Sequence, residues 1–162
     1  MAQGALAHIA LLVRDLDKAV EDWTRILTVL DPDQLLEPPV IMPRFGPESD
    51  PVRWATFICP GGAEIQLVEP LGEGGRAQHL AKHGECVDHI AFVHPDPAAA
   101  ARALDAAGVE VTSTELATDD RLPWQGWTFV TEDAAHGARV EIAYPYVAVD
   151  GHWEPPADAG QA

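Results

Sequence analysis

The chain has 162 residues, the length of one ordinary domain or two small fused ones. It is 47% hydrophobic and 22% charged, which supports a sizeable core and excludes global disorder. Acidic residues outnumber basic ones 26 to 10, a formal charge of −16, so no basic face is expected for a nucleic-acid backbone and nucleic acid is excluded as a partner. The acidity reads as a solubilising surface or, more specifically, as a groove for a cationic ligand. No apolar run approaches the roughly 18 residues of a membrane span. The start, MAQGALAHIALLVRDLDKA, lacks the basic segment and small-residue cleavage site of a signal peptide. Cys59 and Cys86 cannot build a disulfide framework or a cysteine-based zinc site. Together these features lead to the expectation of a cytoplasmic protein without membrane contact.

Residues 5–13, ALAHIALLV, read as a short buried strand. Residues 15–29 read as an amphipathic helix capped by Asp15, with Ala19, Val20, Trp23, Ile26 and Leu27 at helical spacing. Residues 31–51 hold six prolines and read as irregular. VRWATFIC and EIQLVEP flank the turn PGGA, so 52–69 reads as a hairpin. A Gly-rich turn and the short helix RAQHLAKH follow. VDHIAFV reads as a strand, and 96–107 as a helix with Pro97 at its first position and Gly108 just past its end. Residues 109–116 read as a strand and 127–145 as a hairpin. The Pro-, Gly- and Asp-rich tail from Val147 to 162 is expected to be a loose C-terminal extension.

The pattern repeats. AHIALLVRDLDKA from residue 7 aligns with DHIAFVHPDPAAA from residue 88, so that His8 meets His89 and Asp15 meets Asp96. EIQLVEP aligns with RVEIAYP, so that Gln66 meets Glu141. Residues 1–146 therefore read as two β-α-β-β-β modules, about 1–72 and 86–146.

A single strand histidine is an ordinary core residue. Two at equivalent positions, matched by Gln66 and Glu141 inside otherwise apolar strands, are harder to explain as packing. A buried glutamate costs several kcal/mol unless it is paired or binds a metal. If the modules share one cleft, His8, Gln66, His89 and Glu141 supply two imidazoles, an amide oxygen and a carboxylate. That mixed set suits a divalent cation (Co, Mn, Ni, Zn or Fe) with open positions for a substrate. Paired histidine–carboxylate hydrogen bonds without metal are the plainer alternative. PWQGWTF is also unusual: Trp124 and Trp127 read as core packing or as an aromatic wall of a substrate pocket.

HIALLVRDLDKAVEDW, EIQLVEPLG, VDHIAF and HGARVEIA resemble the vicinal oxygen chelate superfamily of glyoxalases, bleomycin-resistance proteins and dioxygenases. The resemblance spans about residues 5–145. It implies an α+β fold of paired βαβββ modules closing a cup-shaped mixed sheet, usually in a homodimer, with the metal ligands carried over to His8, Gln66, His89 and Glu141. The order His, Gln, His, Glu is most similar to that of the methylmalonyl-CoA epimerases. This implies a divalent-metal-dependent isomerase that abstracts a proton α to a carbonyl of a small-molecule substrate, an acyl-CoA. Glu141 is then one proton-transfer group and Glu48 the other, with Asp50 as Glu48's rival. The resemblance leaves open a glyoxalase-like lyase, an Fe-dependent dioxygenase or a metal-free antibiotic-binding protein. The bases Arg44, Arg53, Arg76, Lys82 and Arg121 are scattered and form no CoA cluster.

Overall fold

The computed structural model describes residues 5–157. Its first half runs β1 (Ala5–Leu12), α1 (Leu16–Leu30), a 3-10 turn (Pro32–Leu35), β2 (Val40–Phe45), β3 (Val52–Phe57) and β4 (Glu64–Pro70). After α2 (Gly75–His83), the second half runs β5 (Cys86–Val93), α3 (Pro97–Ala106), β6 (Ala117–Asp119), β7 (Leu122–Val130) and β8 (Arg139–Ala143). β9 (Val147–Val149) and β10 (His152–Glu154) follow. The main sheet has the order β2-β3-β4-β1-β5-β8-β7-β6, the strands of one half followed by those of the other in mirrored sequence. The result is the expected cup-shaped mixed α+β sheet.

Both modules start their helices by the same local chemistry. The Asp15 carboxylate accepts from the Lys18 amide at 2.9 Å, and Asp96 accepts from the Ala99 amide at 2.9 Å, satisfying N–H groups that the first turn leaves unpaired. α1 turns Leu16 and Leu27 onto Ala55, Phe57 and Leu67, forming an apolar layer on the outer face. A second layer, including Ala10, Leu12, Trp54, Val68 and Leu122, fills part of the inner face.

The halves join at β1 and β5, which pair antiparallel with Ile9 opposite Ile90. β4 lies parallel to β1 and β8 parallel to β5. At the far side, the edge strands β2 and β6 are drawn together. The Gly46 amide donates to Asp119 at 2.8 Å, and the rings of Phe45 and Trp127 lie 5.0 Å apart.

The proline-rich stretch contains a strand, β2, that the prolines hide. Pro43 falls where the β2–β3 register shifts, on an edge strand, where a missing N–H costs little. Residues 109–116 do not form a regular strand; Val111 makes an isolated bridge to Val130. Backbone bonds from Thr112 to the Phe129 carbonyl at 2.8 Å and from Thr131 to the Glu110 carbonyl at 3.0 Å tie the segment to β7, and the Thr128 hydroxyl adds a bond to the Ser113 carbonyl at 2.6 Å. β7 begins at Leu122, ahead of the expected hairpin start. Finally, the tail is not loose over 147–154. Asp150 and Gly151, at φ 49° and 77°, make the two-residue turn of a β9–β10 hairpin. That hairpin buries Trp153.

Candidate metal centre

The register explains why the polar side chains meet. His8 lies opposite Ala91 and His89 opposite Ala10 across the β1–β5 ladder. Gln66 neighbours Ala10 from β4, and Glu141 neighbours Ala91 from β8. Ala10 and Ala91 are fully buried and carry only a methyl group, so they leave the inner face free for four larger side chains around one pseudo-twofold axis.

His8 Nε2 lies 3.0 Å from His89 Nε2, and His89 Nε2 lies 3.1 Å from Glu141 Oε2. One ligand atom from each of the three falls within 4.8 Å of the others. Both imidazoles are oriented from behind. His89 Nδ1 faces Asp88 Oδ2 at 2.7 Å, and His8 Nδ1 faces the Tyr146 hydroxyl at 2.9 Å. Tyr146 donates its own proton to Glu64 Oε2 at 3.0 Å, so its oxygen accepts from His8 Nδ1–H. With both Nδ1 atoms protonated, both Nε2 lone pairs point at each other beside a carboxylate. Three acceptors this close repel unless a cation sits among them or a proton is shared between them. Outer partners of this kind fix metal-binding histidines in their ligating tautomer.

The electrostatics agree. Burial, with the His89 ring second, holds His8 well below the ordinary histidine range, keeping it neutral. Burial raises Glu141. Burial would raise Asp88 too, but the hydrogen bond from His89 and the charges of Arg76 and Arg139 outweigh it and hold the carboxyl far below its usual range. Arg139 reaches both Asp88 oxygens at 2.8 Å, and Arg76 reaches Asp88 at 3.3 Å.

Gln66 lines the same cavity. Its Nε2 donates to Thr56 Oγ1 at 3.1 Å, which commits the nitrogen and leaves the amide oxygen as the available donor atom. Neutral imidazoles, an amide oxygen and a carboxylate fit a divalent cation of the Mn-to-Zn series.

The cavity measures about 200 Å³. Phe45, Trp54, Trp127, Phe129, Tyr146 and Trp153 give it an aromatic wall, and Arg76, Arg139 and Gln125 add polar groups. Trp127 thus lines the cavity, whereas Trp124 packs against the inner apolar layer and is not part of the lining. Glu48 is not brought into the cavity. Its side chain is 77% exposed and bonded to Arg44 at 2.5 Å, although the preceding Gly46 and Pro47 do line the rim. Asp50 is tied to Arg76, accepting from its amide at 3.1 Å and from Nη1 at 2.9 Å.

Sequence reasoning missed Asp88, Arg76, Arg139, Tyr146 and Trp153. Asp88 had a signal, its place directly before a repeated histidine. Tyr146 and Trp153 lie past the aligned strings and had none.

A profile of the glyoxalase/bleomycin resistance protein/dioxygenase superfamily matches residues 7–122. Among solved structures, the chain is similar to a methylmalonyl-CoA epimerase in complex with methylmalonyl-CoA and ammonium, at 25% identity and TM-score 0.67, over 88% of this chain and 95% of that one. It is similar to a variant of the Streptomyces coelicolor methylmalonyl-CoA epimerase bound to 2-nitronate-propionyl-CoA (25%, TM-score 0.67, 88% and 98%). It is also similar to the methylmalonyl-CoA epimerase of Mycobacterium tuberculosis (26%, TM-score 0.69, 88% and 87%). No functionally curated protein matches the chain.

Proposed function

The chain belongs to the glyoxalase/bleomycin resistance protein/dioxygenase superfamily, and from that membership and the geometry of its centre we propose a divalent-metal-dependent isomerase that moves a proton α to a carbonyl. The observation that carries this reading is the convergence of His8 Nε2, His89 Nε2 and Glu141 in a cavity that Gln66 completes. The likeness to epimerases solved with acyl-CoA ligands supports an acyl-CoA ester as the substrate class.

In this reading His8, Gln66, His89 and Glu141 hold the cation. When bound, it supplies Lewis-acid polarisation of a carbonyl oxygen and offsets the negative charge that develops on deprotonation. The chain's own residues do the rest. The Glu141 carboxylate takes the α proton on one face, and burial suits it to hold that proton. Glu48 returns a proton on the opposite face, which requires it to leave Arg44 and turn in over Gly46 and Pro47. The aromatic wall excludes water from the reacting carbon. Arg76 and Arg139 fix Asp88, and through it the His89 ring.

The test is solvent exchange. Metal-loaded protein incubated with methylmalonyl-CoA in D₂O should place deuterium at the α carbon. No exchange with any acyl-CoA would move the reading to another substrate. His8, His89 and Glu141 are also a two-histidine, one-carboxylate set, which favours an Fe-dependent oxygenase as the second reading. Oxygen uptake by the Fe²⁺-loaded protein against a substrate panel, compared with anaerobic turnover, separates the two. A homodimer belongs to the same proposal. Sedimentation at micromolar concentration should give twice the chain mass of 17.4 kDa, and a monomer would refute it.

A further inference from the structure

The two halves of the centre treat their histidines differently. In the second module, the residue directly before His89 is Asp88, which holds Nδ1 at 2.7 Å. The repeat-equivalent residue before His8 is Ala7, which has no group to offer. What faces His8 Nδ1 instead is the hydroxyl of Tyr146, the residue directly after the aligned string RVEIAYP.

Tyr146 is itself held in place. Glu64 Oε2 accepts its proton at 3.0 Å. Trp153 of β10 stacks on its ring, with centroids 4.1 Å apart and planes 20° apart. Trp153 is anchored on its other flank by Trp54 of β3, 4.5 Å away, and lies 6.1 Å from the His8 ring. Among the described residues its indole N–H has no hydrogen-bond partner, and the ring's contacts there are its stacking ones. The Asp150–Gly151 turn sets the hairpin that places Trp153 back over Tyr146.

We propose that the C-terminal hairpin is a working part of the centre: Tyr146, locked by Trp153, is the positioning residue that holds His8 with Nδ1 protonated and Nε2 bare, replacing the carboxylate that Asp88 gives His89. As far as metal affinity is concerned, this rests on the metal reading above. The tautomer claim does not.

The experiment therefore has two readouts on wild type, Tyr146→Phe, Trp153→Ala and Trp153→Phe. In metal-free protein, ¹⁵N-resolved imidazole NMR should show His8 with Nδ1–H in the wild type. Tyr146→Phe should lose that single tautomer, Trp153→Ala should blur it, and Trp153→Phe should keep it. On Co²⁺ titration, Tyr146→Phe should bind about 10–100-fold more weakly, the usual loss for an outer partner, with a changed visible spectrum. Trp153→Ala should follow in the same direction, and Trp153→Phe should recover to near wild type. An unchanged His8 tautomer in Tyr146→Phe overturns the proposal, as does Co²⁺ affinity and spectrum equal to wild type. If Tyr146→Phe does not fold, wild-type behaviour of Trp153→Ala in both readouts overturns it equally. A wild type that takes up no Co²⁺ refutes the metal reading, and the NMR readout alone then decides the role of Tyr146.

Discussion

Glu64 is a partly buried carboxyl group beside Tyr146, and burial pushes it from 4.5 up to about 7 against the lowering effect of its bond from Tyr146. The folded protein therefore holds a proton on Glu64 that the unfolded chain releases near pH 4.5. Between those two values the native state binds more protons than the unfolded state, so stability falls as pH rises. The full contribution is present below about pH 4.5 and is gone above about pH 7. At about 1.36 kcal/mol per pH unit, the gap amounts to about 3 kcal/mol. Glu64→Gln removes the ionisation and isolates this group from every other titrating residue. Urea unfolding of metal-free wild type and Glu64→Gln at pH 5 and pH 8 is the assay. The variant should gain about 2–3 kcal/mol on the wild type between pH 5 and pH 8. A difference between the two pH values of less than about 0.5 kcal/mol, the ordinary spread of surface changes, would refute the reasoning.

Glu141→Ala should lose cation retention by more than the about 10–100-fold that removal of an outer partner costs, measured by elemental analysis after dialysis, and should lose α-proton exchange with it. Glu48→Gln should retain the metal while slowing deuterium incorporation about 10²–10⁴-fold, and full exchange in this variant would remove Glu48 from the chemistry. Asp119→Ala should cost about 2–3 kcal/mol in chemical denaturation, because the buried carboxylate accepts from the amides of Gly46 and Arg121, both at 2.8 Å.

Much of the fold was legible because the repeat doubles every signal. His8 and His89, or Asp15 and Asp96, are weak pointers singly and strong ones as pairs. The candidate ligand set follows from the same doubling, since equivalent strands on either side of an axis bring equivalent side chains to it. Legibility failed where the symmetry fails. The strand β2 hides among prolines because its edge position tolerates them. The tail has no counterpart in the first module, and its composition reads as disorder. Its Asp-Gly turn was the one local sign of a hairpin. Glu48 was placed by resemblance alone, and side-chain orientation on an exposed loop is not encoded in spacing. Trp124 and Trp127 looked alike in sequence, yet only Trp127 borders the cavity.

The near-twofold at Ile9 and Ile90 bears on how a bound group is seated. A tetrahedral carbon held on that axis meets an imidazole from either side, each beside a buried alanine. A half-turn about the axis does not interchange mirror-image forms; it offers one ligand two nearly equivalent poses. What breaks the equivalence is small and local: an amide at Gln66 against a carboxylate at Glu141, and a phenol behind His8 against a carboxylate behind His89. In a cup of this kind those two differences decide which pose is taken and which side chain flanks each side of the bound group. A duplicated fold can thus break its own symmetry at the centre through single side chains while the backbone keeps it.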